Sequence, residues 1–432
     1  MLLALAFAGF LSDCVPARWF SADPKSLELL SGSPINCLLV ERQYWTPPLI
    51  DAGHRHGLKM LAVLESPSAT IPPDADAAVF EGDPPSDRPP SDRPPPDRPP
   101  PDRPPSDRLP SYRAATVKER SPLLILGTRD HIRPAYGIAG TTQGVWPGIR
   151  VDDKALAGPT AAPWIDTNLG FLRYVSSHLH ETIWLANRPP PDKTISLHPC
   201  QKALADAWLA GARWVISPGD GFAKRLLAGD QSARKDWDDL MALAKFLESQ
   251  PHVHGLDIYS HLGVSVNRET GAFVSGGVLD MIGAQHIPFH VVKNGDGMAQ
   301  FFDFADNSIV KFPPASLGGV AMRPGDTDGL EPVYRRVEVI VGRTNYGLRV
   351  FNGAGLLSAP YVLAGNRGVL VLIANYTDYP AEDITLHVLG HWKKATLDSP
   401  DGASQPLTMY PVKEATAIEI PKLTRIGAVH VE

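Results

Sequence analysis

Ile35–Glu41 (INCLLVE), Lys59–Glu65 (KMLAVLE) and Ala77–Glu81 (AAVFE) are short apolar runs, and each closes on a glutamate. Each is too short for a helix and rich in Val, Ile, Leu or Phe, the composition of strands buried on both faces of a parallel sheet. α/β folds carry their chemistry at the C-terminal ends of such strands. Strand-end carboxylates in succession predict an acid-lined mouth, of the kind that works on sugars or holds a cation.

Outward from these runs, strand and helix alternate. Asp23–Leu30 opens on a capping residue followed by Pro24 and reads as a helix. Pro47–His56 reads as a short helix closed by Gly57. Pro122–Thr128, Gly144–Ile149, Thr182–Asn187 and Ala212–Ser217 read as further strands, and Asn168–Leu179 and Gln201–Ala210 as helices. In Ser232–Ser249, Trp237, Leu240, Met241, Ala244 and Leu247 make one apolar helix face. The start of the chain has two readings. Leu2–Leu11 is either the first strand or, within 1–13, the apolar part of a signal segment that lacks a preceding Lys or Arg. The first reading completes an eight-stranded (β/α)8 barrel over 1–255; the second needs Leu256–Val264 as the last strand.

Residues 84–108 are five Pro-rich pentads, PPSDR or PPPDR, with almost nothing to bury. They are expected to form a solvated, polyproline-II-like insert without fixed structure. Beyond the barrel, Leu262–Val266, a helix at Ser275–Ala284 and Phe289–Val292 predict a small α/β unit over 256–330. From 331 to 432 the pattern becomes short strands without helices: Arg336–Val341, Leu348–Phe351, Gly368–Asn375, Asp383–Leu389, Lys394–Ser399, Thr416–Ile420 and Ala428–Glu432. That pattern predicts a C-terminal antiparallel β-sandwich. Alternation places Ile384, Leu386 and Val388 on its inner face.

The order barrel, small α/β unit, β-sandwich resembles the TIM-barrel glycoside hydrolases. Ser275–Pro288 (SGGVLDMIGAQHIP) is similar to the flavodoxin-like unit that follows the barrel in some β-galactosidase-type enzymes. Leu370–Val388 and Lys394–Gly402 are similar to the sandwiches that end many glycosidases. The resemblance implies a carbohydrate substrate or ligand and a two-carboxylate mechanism. One departure stands out: the large retaining clan carries Asn-Glu at the end of the fourth strand, this chain has no Asn-Glu dipeptide, and Asn187 is followed by Arg188. A non-catalytic carbohydrate-binding or cell-surface scaffold on a degenerate barrel is therefore the alternative.

Candidate carboxyls for such chemistry are Glu41, Glu65, Glu81 and Asp220. Glu81 and Asp220 make the first choice of catalytic pair, since each ends or follows a strand and is followed by a glycine. Glu41 and Glu65 are alternatively buried structural acids paired with Arg42, Arg129 or Arg150. Trp146, Trp164 and Trp184 are candidate sugar platforms or core residues. Arg150 and Asn187 are candidate hydroxyl partners. Asp166 is a candidate binder, though a helix cap or helix-dipole partner is the preferred reading.

The bulk composition narrows the rest. The 432 residues carry a net charge of −6 with scattered Lys and Arg, which argues against nucleic acid. The cysteines, Cys14, Cys37 and Cys200, make no disulfide framework or metal spacing, and Cys37 reads as a small buried apolar residue. No run beyond the start approaches a membrane span. No GxSxG, Walker or GxGxxG motif follows an expected strand, so neither cofactor nor metal is expected. Oligomeric state stays open, as does the choice between a secreted or periplasmic location and a cytoplasmic one.

Overall fold

The structure is a computed structural model that describes residues 9–83, 122–129, 132, 137–147, 165–179, 181–189, 196–266, 279–280, 282–292, 300–305, 309–311, 342, 346–363, 365 and 367–432. The Pro-rich insert, the expected strand Arg336–Val341, Trp164 and Arg150 lie outside these residues.

Eight parallel strands follow one another around a ring: β1 (Pro16–Trp19), β2 (Cys37–Glu41), β3 (Lys59–Leu64), β4 (Ala77–Glu81), β5 (Leu123–Gly127), β6 (Ile138–Thr141), β7 (Trp184–Leu185) and β8 (Arg213–Trp214). The ring closes through Ala17 and Ile216: Arg18 N donates to Ile216 O at 2.8 Å, and Ile216 N donates to Pro16 O at 3.0 Å. Among the described residues, five helices stand outside: α1 (Pro47–Arg55), α2 (Leu169–Ser176), α3 (Leu197–Leu209), α4 (Asp220–Leu227) and α5 (Gln231–Ser249). Pro24–Leu30 is 3-10 rather than α, capped by Asp23 accepting from Lys25 N.

The strands alternate between two cores, as the two-residue period requires. Cys37, Leu39, Leu61, Ala77, Val79, Trp184, Ala186 and Val215 fill the lumen. Leu38, Val40, Met60, Leu185 and Trp214 pack outward against the helices. Glu41, Glu65 and Glu81 are in phase with the lumen residues of their own strands. So are Arg18, between the outward Ala17 and Trp19, and Arg188, two beyond Ala186.

Two expected strands are displaced. Residues 9–13 are helical and lie under the barrel; buried Leu11 accepts from Trp184 Nε1 at 3.3 Å. The first strand is Pro16–Trp19, too short and too mixed to stand out as an apolar run. The sixth is Ile138–Thr141, not Gly144–Ile149. Gly140 lets it approach β7: a Cβ there would sit 1.8 Å from Trp184 O. Leu256–Val264 is not a barrel strand.

The pairing of β1 with β2, which sets Pro16 opposite Cys37, also overturns the reading of the cysteines. It brings Cys14 to a Cα–Cα distance of 5.5 Å from Cys37, and the two form a disulfide 23 residues apart. Removing it in a Cys14→Ser/Cys37→Ser variant is expected to cost about 3 kcal/mol, read as a lower urea midpoint. An unchanged midpoint would count against a staple here.

After the barrel, β9 (Leu262–Val266), β10 (His290–Val292), β11 (Gln300–Ala305) and β12 (Ile309–Lys311) form a second sheet in the order β10-β9-β11-β12. Its first three strands are parallel and β12 is antiparallel. Residues 279–280 and 282–284 are helical, within the expected helix.

The C-terminal strands are β13 (Leu348–Phe351), β14 (Leu356–Val362), β15 (Val369–Asn375), β16 (Ala381–Leu389), β17 (Ala395–Ser399), β18 (Gly402–Pro406), β19 (Thr408–Val412), β20 (Ala415–Leu423) and β21 (Ile426–Val431). They make two antiparallel sheets, β13-β16-β20-β19 and β14-β15-β21-β17-β18. Ile384, Leu386 and Val388 lie between them with Val371, Ile373 and Val429. The other face of the five-stranded sheet, with Leu370, Leu372 and Ala428, joins the barrel core. This double burial explains why VLVLIAN in β15 lacks alternation.

His286 ties the second unit to the sandwich. Its Nε2 donates to Gly353 O and its Nδ1 accepts from Ser358 Oγ, both at 3.1 Å. Burial pushes its pKa down to about 4. The unfolded chain takes up this proton near pH ~6.5. Stability should therefore fall as pH drops from about 6.5 to about 4, by up to about 3 kcal/mol. Urea unfolding at pH 7 and pH 4 should show that extra loss in the wild type relative to His286→Gln; equal pH slopes would refute it.

Candidate functional site

Glu41, Glu65, Glu81 and Arg188 line one cavity of about 520 Å³ together with Arg42, Gln43, Val63 and Leu64. It lies at the C-terminal ends of β2, β3 and β4, where a parallel barrel opens its active face. The pairing of Leu64 with Phe80 sets Glu65 beside Glu81 one step further on. Neighbouring strands stand about 4.8 Å apart.

Two arginines bind the acids. Arg18 donates from Nη1 to Glu41 Oε1 at 3.3 Å and from Nη2 to Glu81 Oε1. Arg188 reaches the same carboxylates from outside, Nη1 to Glu41 Oε1 at 2.6 Å and Nη2 to Glu81 Oε2 at 2.7 Å. Gln43 Nε2 adds a bond to Glu41 Oε2 at 3.1 Å. Burial lowers the pKa of Arg18; the Glu81 and Glu41 charges offset this and the Arg188 charge adds to it. The two arginine side chains differ sharply in exposure, 10% for Arg18 and 49% for Arg188. Glu65 is exposed and, among the described residues, has no ion pair or hydrogen bond.

The remaining candidates fall elsewhere. Asp220 is exposed at the first position of α4, where an acid suits the helix dipole, and does not line the cavity. Trp184 is fully buried in the lumen at the start of β7, so it offers no face to a sugar. Trp146 is buried edge-on to Trp214, with ring centroids 4.7 Å apart. Asn187 donates from Nδ2 to Gly144 O at 2.7 Å and does not line the acid cavity. Asp166 precedes α2, whose cap position is Asn168. It lies near Asp280, whose carboxyl is pushed well up by burial, against the opposing pull of the Arg129 charge and the Gly170 N–H, with the Asp206 and Asp166 charges adding to the rise.

The sequence reading missed Arg18 and Arg188. Their signal was the two-residue phase they share with the lumen residues. It also missed a second polar centre, where Asp206 of α3 accepts from Asn168 N at 2.9 Å, Asn168 Nδ2 at 2.8 Å, Thr167 Oγ1 and Tyr376 Oη at 2.5 Å.

No protein-family model matches the chain, and no curated protein matches it in sequence. In structure it is similar to the α-L-fucosidase isoenzyme 2 from Paenibacillus thiaminolyticus, with a TM-score of 0.61 at 10% identity. That likeness covers 97% of this chain and 98% of the other. A rhamnosidase from Novosphingobium sp. PP1Y gives a TM-score of 0.36 at 12% identity, over 72% of this chain and 37% of that one. The first likeness is one of fold: a ring of parallel strands followed by C-terminal antiparallel sheets.

Proposed function

We propose that the chain is a glycoside hydrolase working at the barrel mouth, with Glu81 as nucleophile and Glu65 as proton donor. The observation that carries this reading is the pair itself: neighbouring strand-end carboxyls in one cavity, only one of them held by cations. Two roles need two environments, one carboxylate kept charged and oriented and one carboxyl free to hold a proton. Arg18 orients Glu81; Glu65 lies clear of both arginines. Residues side by side on neighbouring strands suit the short carboxyl separation, about 5–5.5 Å, that goes with retention of anomeric configuration. A panel of aryl glycosides tests this, beginning with α-L-fucosides because the full-length structural relative is called a fucosidase. The released sugar should keep its anomeric configuration by NMR; inversion would reject Glu81 as nucleophile.

One observation favours the second reading, a carbohydrate-binding protein without catalysis: both Glu81 oxygens already accept from arginines. Glycan binding without turnover of any glycoside would establish it. The Cys14–Cys37 disulfide supports an oxidising compartment for either activity.

A further inference from the structure

The two arginines that bind Glu41 and Glu81 are not equivalent. Arg18 comes from β1, inside the ring, and is buried. Its backbone N–H is part of the ring closure. Arg188 lies past the end of β7, half exposed, and covers the same carboxylates from the solvent side. A ligand entering the cavity from the open side meets Arg188 before either acid. Ion pairs of half-exposed side chains are weak and screened by salt, whereas a buried guanidinium cannot leave its acids without stranding a charge.

We propose that Arg188 is a displaceable latch on the carboxylates and Arg18 their fixed positioning residue, so that ligand enters by taking the place of the Arg188 guanidinium. This rests on the reading of the barrel mouth as the working site, but the latch itself concerns only the arginines and the acids. With Arg188 withdrawn, the charged lining is Glu41, Glu65 and Glu81 against Arg42 alone, two more negative than positive charges, with buried Arg18 behind Glu41 and Glu81. Such a lining welcomes hydroxyl donors and repels anionic groups.

Carboxyl labelling tests the latch without a substrate. The full chain is treated with a water-soluble carbodiimide and glycine ethyl ester, and modification is mapped by peptide mass spectrometry. Glu65, in the same cavity and unpaired, serves as the internal reference. Relative to Glu65, labelling of Glu41 and Glu81 should rise about fivefold in Arg188→Gln, the scale set by releasing a half-exposed ion pair. It should rise likewise in the wild type at about 1 M salt. Arg188→Gln should melt with the wild type, while Arg18→Gln melts several degrees lower. Unchanged labelling of both acids in Arg188→Gln, or a melting loss there equal to that of Arg18→Gln, would overturn the proposal. Where a glycoside is hydrolysed, Arg188→Gln should also lower KM more than kcat; a raised KM would equally overturn it. Failure to hydrolyse any glycoside would count against the enzymatic reading alone, leaving the labelling result to decide the latch.

Discussion

Glu81→Gln is expected to lower kcat by about 10³-fold against any glycoside the protein hydrolyses, with the fold intact. Glutamine keeps the shape and the contact with Arg18 but cannot attack an anomeric carbon, and loss of a nucleophile costs orders of magnitude rather than a factor. Glu65→Gln should be comparably slow on substrates with poor leaving groups and much less impaired on activated aryl glycosides, because a good leaving group needs no proton. That contrast separates the two roles. Asp220→Asn should stay within a few-fold of wild type, since its carboxylate sits exposed in the first turn of α4 and does not line the acid cavity. Single-turnover and steady-state kinetics on the three variants decide the matter. Wild-type turnover in Glu81→Gln would reject the assignment. A collapse of turnover in Asp220→Asn would restore Asp220 as Glu81's partner.

The strand-end glutamates were legible because each run is long enough to show its period. In CLLVE, Cys37 and Leu39 face the lumen and Glu41 continues their phase. The same period runs through Arg18, but PARW is a four-residue strand whose inward positions are Pro16 and Arg18, so no apolar run announces it. Arg188 follows a two-residue strand, and its phase becomes visible only once Trp184 and Ala186 are known to be lumenal. Trp184 shows the limit of counting from strand ends. TIWLAN looks like a six-residue strand, but pairing starts at Trp184, which puts the indole deep in the barrel instead of at its mouth. Asp220 shows the other limit: nearness to a strand end in sequence says nothing about the direction in which the chain then turns. Cys14 and Cys37 became partners only through the pairing of β1 with β2, a tertiary fact with no local signature.

Asp206→Ala is expected to destabilise the protein by about 3–5 kcal/mol, at least as much as removing the disulfide. Asp206 lies in the middle of Ala-rich α3 and is fully buried. Burial pushes its carboxyl pKa up, and the hydrogen bonds from Thr167, Tyr376 and Asn168 pull it back. Each of these partners donates, so the form they fit is the ionised carboxylate. Asn168 passes the network on: its Oδ1 accepts from Val145 N at 2.8 Å and from Arg129 Nη2, and its Nδ2 donates to Val145 O at 2.9 Å. Alanine at 206 would leave the Thr167 and Tyr376 hydroxyls, the Asn168 backbone N–H and one Asn168 Nδ2–H in a dry interior without their acceptor, and each such group costs about 1–3 kcal/mol. Tyr376 stands just past β15, so the same carboxylate ties the sandwich to the barrel helix. Tyr376→Phe removes one donor and leaves Asp206 its other partners, so its cost should be about 1–2 kcal/mol. In urea titrations followed by tryptophan fluorescence, Asp206→Ala should shift the midpoint most. Tyr376→Phe should begin to separate the unfolding of sandwich and barrel into two steps. An Asp206→Ala midpoint within about 1 kcal/mol of wild type would show that water replaces the lost acceptor and that the network is not what joins the two domains.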